Sequence, residues 1–235
     1  MDDTLTARAG WRDALPTVFG YIGISMAFGI VAKAAGLSTW LIVLISAIDY
    51  GGSAQFVLVT MVGSHSSIVA IAFAVFLVNA RMILMSMTLA PYFNRYSLWR
   101  NIWLGTFVTD ESFALGMSKV NVSQNRLSFP WFNTVNLVSY ASWLLGTFLG
   151  AVVGGLVTDP SKFGLDFAIT AMFIGLLIAQ ISSDKTIKLA LQVAVVIFVL
   201  VLIYLFLIFV PKNFVVLLVT ICGSLFGMVM KRVFD

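Results

Sequence analysis

Between residues 14 and 230 the chain is a succession of apolar runs, at about 14–35, 38–62, 66–90, 131–157, 165–181, 186–209 and 213–230, joined by short polar turns. Each run is near the ~20 residues an α-helix needs to cross a ~30 Å hydrocarbon core. In hydrocarbon every backbone amide must be paired within its own helix or around a closed barrel, and the period-two alternation of barrel strands is absent. The expectation is an all-α, polytopic transmembrane bundle, seven or eight segments long, filling 1–235 as one integral membrane domain with a polar segment at 1–13. Composition agrees: 60% of side chains are hydrophobic, 10% are charged and the mean hydropathy is +1.03. Soluble domains have about 45–50% apolar and about 25% charged residues.

The same counts exclude several classes of function. A net charge of +4 reflects Lys and Arg in loops that face anionic lipid, not nucleic-acid binding. With Cys222 and His65 the sole residues of their types, neither an intrachain disulfide nor a multi-thiolate or multi-imidazole metal site can be built. No catalytic residue and no cofactor is expected. Residues 14–31 follow Arg8 and Arg12 as a signal peptide would, but the run is long for that and carries Pro16, Gly20, Tyr21 and Gly23, so it reads as the first crossing.

The stretch 101–118 is apolar enough to enter the bilayer yet holds Thr109, Asp110 and Glu111 at its centre. It is an eighth, broken crossing or a re-entrant or interfacial segment. With eight crossings and the N-terminus inside, the inner loops carry Arg8, Arg12, Lys119, Arg126, Lys185, Lys188, Lys231 and Arg232, against Lys33, Arg95, Arg100, Lys162 and Lys212 outside. With seven crossings the bias turns toward an outer N-terminus; both readings put the C-terminus in the cytoplasm.

An ionisable side chain in mid-bilayer costs at least ~2.5–3.5 kcal/mol and calls for a partner, a wet cavity or a function. Asp49 and Arg81 are such residues. If 38–62 and 66–90 form a hairpin about Gly63 to His65, both lie roughly 20 Å from the turn, at one depth, and are expected to face each other as an ion pair. The pair is either static or contains a carboxylate that titrates during transport. Next to Asp49 stands Tyr50-Gly51-Gly52-Ser53-Ala54-Gln55-Phe56, a poor continuous helix. A helix broken there would free amides for a substrate carboxylate; the alternative is close packing of a neighbour on the glycines. Along 131–157, Asn133, Asn136, Tyr140, Trp143, Thr147 and Gly154 fall within about 80° on a helical wheel, and such a stripe faces protein or a cavity. Gly146, Gly150 and Gly154, four apart, suit close helix packing. Thr109-Asp110-Glu111 has the residue types of a helix N-cap and first turn, at the interface or at membrane depth, where a carboxylate could bind a proton or an ammonium group.

Taken together, Leu15-Pro16 with Gly20-Tyr21 and Ala27-Phe28-Gly29, Ala35-Gly36-Leu37-Ser38, Tyr50-Gly51 with Gln55-Phe56, Asn79 with Arg81, Thr109-Asp110-Glu111 with Phe113-Ala114, Tyr140 with Trp143, Gly146-Thr147 and Gly150, and Asp159-Pro160 with Gly164-Leu165-Asp166-Phe167-Ala168 resemble the AzlC family. That family comprises the large subunits of bacterial branched-chain amino acid exporters. The resemblance implies proton-driven export of leucine, isoleucine, valine or a similar apolar amino acid across the cytoplasmic membrane of a bacterium or archaeon, with a small AzlD-like membrane subunit as partner. The chain departs from the family pattern at Asp49, where an apolar residue is usual, at Met82 in place of a histidine, and at Gly23 in place of a proline.

The substrate-binding candidates are accordingly Tyr50, Gly51, Gly52, Ser53, Gln55, Asn79, Arg81, Tyr140 and Trp143, and the proton-coupling candidates are Asp49, Asp110 and Glu111. Amides around Gly51 to Ala54, with Arg81, would hold a carboxylate; Asp110 or Asp49 would face an ammonium; Tyr140 and Trp143 would shape an apolar pocket. An intramembrane serine enzyme would need a base beside Ser53, yet His65 is expected about 18 Å away along a helix. A channel-like subunit for another solute, or a scaffold that transports nothing, remains the alternative class.

Overall fold

The computed structural model describes residues 3–156, 174, 177–178, 181, 188–209 and 212–234. They fall into two compact units, divided between Met172 and Phe173. The described residues contain helices and turns and no strand, as hydrocarbon demands.

The first unit opens with a short 3₁₀ turn, Asp3–Leu5, and continues as α1 (Ala7–Ala34), α2 (Thr39–Asp49), α3 (Ser53–Gly63), α4 (Ile68–Phe93), α5 (Leu98–Thr106), α6 (Asp110–Val122) and α7 (Phe129–Gly154). Caps explain the boundaries. The side chains of Thr6, Ser38, Ser67, Thr109 and Ser128 each accept from a backbone N–H in the first turn of the helix that follows. Thr6 starts α1 two turns before the apolar run. Asp13, thereby placed on a helix, accepts from Lys119 Nζ and from Trp131 Nε1, each at 2.9 Å. Gly36, at φ 86°, ends the turn after α1.

α1 and α7 form the spine, and small residues bring their backbones together. A side chain at Gly150 would strike the carbonyl of Met26, one at Gly146 would strike Ser25, and one at Gly29 would strike the carbonyl of Thr147. The four-residue glycine spacing is therefore a packing device. α3 and α4 pair as a hairpin, α2 packs on α7, and α6 touches α4, α7 and α1. Two apolar clusters lie along the spine. One gathers Ala14, Leu89, Phe93, Leu104, Trp131 and Phe132; the other gathers Phe28, Ala32, Ile42, Phe56, Val59 and Ala151. Tyr21 of α1 and Trp143 of α7 lie between them along both helices, joined by Tyr50. Large apolar side chains such as Phe19, Trp40, Ile48, Phe76 and Leu84 point outward, as a lipid-facing surface requires.

The second unit contains α8 (Leu189–Phe209) and α9 (Lys212–Phe234). They pack through stacked Phe198 and Phe226 rings with centroids 3.9 Å apart, and Gly223 admits Val199. Among the described residues four helices, α1, α4, α7 and α8, are long and apolar enough to cross a membrane by length and composition. The chain is thus a polytopic helical membrane protein. The expected crossing at 165–181 lies outside the described residues except at Ile174, Leu177, Ile178 and Ile181, which are helical, and the motif residues Asp159 to Ala168 lie outside them altogether.

Candidate functional site

The apolar run 38–62 is two helices. α2 stops at Asp49, Tyr50 adopts the left-handed region at φ 37°, Gly52 has φ 55°, and α3 restarts at Ser53. Gly52 supplies a conformation that L side chains rarely adopt. At Gly51 the constraint is space: a side chain would lie 2.6 Å from Asn79 Oδ1. The break and the close approach on a glycine are both present. No side chain caps α3, and Ser53, Ala54, Gln55 and Phe56 form its buried first turn.

The run 101–118 is broken as well. α5 ends at Thr106 and α6 starts at Asp110, with Thr109 as its cap. Thr109 Oγ1 accepts from Ser112 N at 3.3 Å and Ser112 Oγ accepts from Thr109 N at 2.9 Å, a reciprocal box. Asp110 and Glu111 occupy the first turn, where the helix dipole favours carboxylates.

Arg81 joins the two breaks. Its Nη2 donates to Asp110 Oδ2 at 2.7 Å and to Ser53 Oγ at 3.0 Å, and each partner is the first residue of a half-helix. Arg81 is the 14th of 26 residues of α4, so both breaks stand level with the middle of a membrane-length helix.

The expected ion pair between Asp49 and Arg81 is not formed. Asp49 Oδ1 instead accepts from Asn79 Nδ2 at 2.7 Å, and its Oδ2 is buried without a hydrogen-bond partner. Asp49 would stand opposite Arg81 only if one straight helix ran across 38–62. In fact the hairpin with α4 is made by α3, while Asp49 ends α2, which packs on α7 and reaches α4 through Asn79. Asn79 and Arg81, two positions apart on a helix, also point to different sides.

The polar stripe of α7 faces the protein, as its pattern predicts. Tyr140 Oη donates to Ala47 O at 2.9 Å and Trp143 Nε1 donates to Gln55 Oε1 at 3.0 Å. Gln55 Nε2 donates to Ser46 Oγ at 2.7 Å, and Ser46 Oγ lies 2.8 Å from Thr147 Oγ1. Nearer the start of α7, Asn133 accepts from Trp103 Nε1 and Asn136 donates to Leu104 O. The Tyr50 ring meets Tyr140 edge-on at 4.9 Å between centroids, and Tyr21 meets Trp143 at 5.1 Å.

Tyr21 and Ser46 are absent from the sequence candidates although both belong to the network. Tyr21 Oη donates to Glu111 Oε2 at 2.6 Å and lies 2.6 Å from Thr109 Oγ1. The signal was available: a hydroxyl in mid-run needs a partner for the reason that marked Asp49. Of the twelve candidates, Ser53, Arg81 and Asp110 meet directly, Asp49 meets Asn79, Gln55 meets Trp143, and Tyr50 meets Tyr140. Glu111 turns away from the Arg81 contact toward Tyr21. The serine-enzyme geometry is not assembled: Ser53 bonds Arg81, and exposed His65 lies past the end of α3, about 15 Å of helical rise away. No group of three metal-ligating His, Cys, Asp or Glu residues occurs among the described residues. The arrangement offers a cation and a helix start without a side-chain cap to a negative group, a carboxylate with a bare oxygen to a positive one, and an aromatic wall to an apolar one.

The AzlC protein family matches residues 16–157, the segment that contains both breaks. The Escherichia coli inner membrane protein YgaZ is 31% identical over 186 residues, which cover 77% of this chain and 76% of that protein. An uncharacterized membrane protein of Helicobacter pylori strain 26695 is 28% identical over 196 residues, 79% of this chain and 83% of its own. The branched-chain amino acid transport protein AzlC of Bacillus subtilis is 27% identical over 180 residues, 76% of this chain and 69% of that protein. No solved structure matches.

Proposed function

We propose that this chain, which belongs to the AzlC family, is the large subunit of a secondary transporter that exports branched-chain or similar apolar amino acids across the cytoplasmic membrane. Membrane transport is the ground on which the reading stands, since a family relative is named for branched-chain amino acid transport. The observation that carries the reading is the bridge from Arg81 to the first residues of two half-helices, level with the middle of α4. Transporters hold charged solutes at broken helices of this kind near the bilayer midplane.

A zwitterionic amino acid needs donors for its carboxylate, an acceptor for its ammonium and an apolar wall for its side chain. Arg81 and the amides at Gly51 to Ser53 serve the first need, the Ala54 N–H being taken up by Gly51 O. Asp49 or Asp110 serves the second, and Tyr50, Tyr140 and Trp143 serve the third. Ser53, Gln55 and Asn79 hold these groups in place through the bonds to Arg81, Trp143 and Asp49. Export against a gradient needs coupling, and a proton drives it only by binding the inward- and outward-facing states unequally. Asp49, Asp110 and Glu111 are the groups that could carry it. A small AzlD-like membrane subunit completes the carrier, and the C-terminus faces the cytoplasm.

The test is flux of labelled valine, leucine and isoleucine in sealed vesicles that contain this chain, with and without the co-expressed small subunit, before and after the proton gradient is collapsed. Accumulation that needs both chains and the gradient supports a two-component coupled exporter. Equilibration without accumulation identifies a channel-like subunit instead. The absence of flux under every condition, with folded protein, rejects amino acid export.

A further inference from the structure

The ion pair at the centre of the site is incomplete on both sides. Arg81 makes both of its contacts through one nitrogen, Nη2, while its Nε is buried without an acceptor and Asp110 Oδ1 is buried without a donor. A guanidinium and a carboxylate that meet in plane satisfy two donors and both oxygens at once. Here the two groups touch at a single corner. Neither group is sealed in, since the side chains of Arg81 and Asp110 keep 28% and 21% of their surface.

We propose that Asp110 is an internal stand-in for the solute's carboxylate: it occupies Arg81 in the empty carrier, and a carboxylate-bearing solute displaces it. The inference rests on the reading of this site as the place where a small zwitterion is carried, and it assigns Asp110 to competition with the solute rather than to its ammonium.

Three features of the structure support this assignment. A lone guanidinium at mid-membrane is expensive, so an empty carrier needs a carboxylate on Arg81, and replacing one carboxylate by another changes little in net charge. Displaced Asp110 is not stranded, because it is the first residue of α6, whose N-terminus favours a negative group. Asp49 is the carboxylate without a cation: its Oδ2 is buried and bare, and the one bond to its carboxylate is from the neutral amide of Asn79. Asp110, in contrast, already has a cation.

Competition of this kind lowers apparent affinity by the fraction of molecules in which Arg81 is free. Removing the competitor therefore strengthens binding, whereas removing an ammonium partner weakens it. Binding of three probes to the purified full chain separates the cases: L-leucine, 4-methylpentanoate, which lacks the ammonium, and 3-methylbutylamine, which lacks the carboxylate. Asp110→Asn, with Asp110→Ala as a second variant without a side-chain acceptor, is expected to bind leucine and 4-methylpentanoate about tenfold tighter, equivalent to ~1.4 kcal/mol. It binds 3-methylbutylamine as the wild type does, and Arg81→Gln loses both carboxylates. Weaker binding of leucine and 3-methylbutylamine by the Asp110 variants overturns the proposal and leaves the site reading standing, with Asp110 then facing the ammonium. Unchanged binding of all three probes in both variants also overturns it. If none of the probes binds wild type or variants that melt cooperatively, the reading of the site itself fails and the stand-in role fails with it.

Discussion

Tyr21 of α1 and Glu111 of α6, 90 residues apart, meet through a 2.6 Å hydrogen bond, and the same phenol lies 2.6 Å from Thr109 Oγ1. One hydroxyl of the spine thus holds both the cap and the first turn of the second half-helix. Because Thr109 Oγ1 also accepts from Ser112 N, these groups form a single hydrogen-bonded chain. An ionised Glu111 accepts the hydrogen bond from Tyr21 Oη, and the Thr109 hydroxyl donates to Tyr21. A protonated Glu111 donates to Tyr21, which donates onward to Thr109. The charge on Glu111 therefore orients the hydroxyl bond between Tyr21 and Thr109, while the Ser112 N–H donates to Thr109 Oγ1 in either state.

Tyr21→Phe removes the hydroxyl and keeps the ring. Glu111 and Thr109 lose a partner in a largely buried place, a cost of about 1–3 kcal/mol, so the variant melts below the wild type in detergent. Glu111→Gln retains an acceptor for Tyr21 and melts closer to the wild type. A Tyr21→Phe transition equal to that of the wild type would show that this chain contributes nothing to stability.

Gly150→Val places a branched side chain against the Met26 carbonyl, at a close approach of α1 and α7. Backbone cannot yield as a side-chain tip can, so the loss reaches or exceeds the ~1–3 kcal/mol typical of overpacking. Gly20→Ala, at a position with nothing within 4 Å of an added Cβ, is the control and leaves the melting curve unchanged. Comparing the folded yields of the two variants checks the role of the glycine ladder.

Gly52→Ala isolates backbone strain. An added Cβ would meet its nearest neighbour, Trp143 Cη2, at a comfortable 3.8 Å, yet the backbone is held at φ 55°. The cost, about 1–3 kcal/mol, is conformational alone. Thermal unfolding should drop accordingly and leucine flux should fall with it, since the variant favours a less sharply broken α2–α3. Wild-type stability in this variant would mean that the break tolerates a different backbone geometry.

Gln55 is fully buried and joins Trp143 to Ser46 and, through it, Thr147. Gln55→Leu leaves the Trp143 indole N–H without its acceptor and removes the donor to Ser46, at about 1–3 kcal/mol for each group left unsatisfied. Thr147→Val removes only the end of the chain and costs less. A double-mutant cycle of Gln55→Leu with Trp143→Phe should show coupling of about 0.5–3 kcal/mol; additivity between them would argue against a direct bond.

Much of the fold was legible because its causes are local. An apolar run without water becomes a helix wherever it sits. Gly51-Gly52 and Thr109-Asp110-Glu111 mark breaks through conformational freedom and capping, which act within a few residues. The inward stripe of α7 and the packing role of Gly146, Gly150 and Gly154 follow from helical periodicity for the same reason. That Arg81 and Asp49 share a neighbourhood was also readable, since a hairpin equates distance along two helices with depth.

Which carboxylate Arg81 would take was a tertiary decision. Three acids, Asp49, Asp110 and Glu111, stand at breaks in runs far apart in the chain, and nothing in local pattern ranks them. The three-residue break at 50–52 sends Asp49 away with α2 to Asn79, and the fold of α5 and α6 back against α4 delivers Asp110 to the vacated guanidinium. Glu111, one position on and about 100° around the helix, falls to Tyr21 of α1 instead. Sequence thus determined where helices run, break and turn inward, because backbone hydrogen bonding and periodicity are short-ranged. The partners of the buried charges were settled by the tertiary structure alone, because a contact of 2.7 Å depends on the tilt and rotation of separate helices packed against one another.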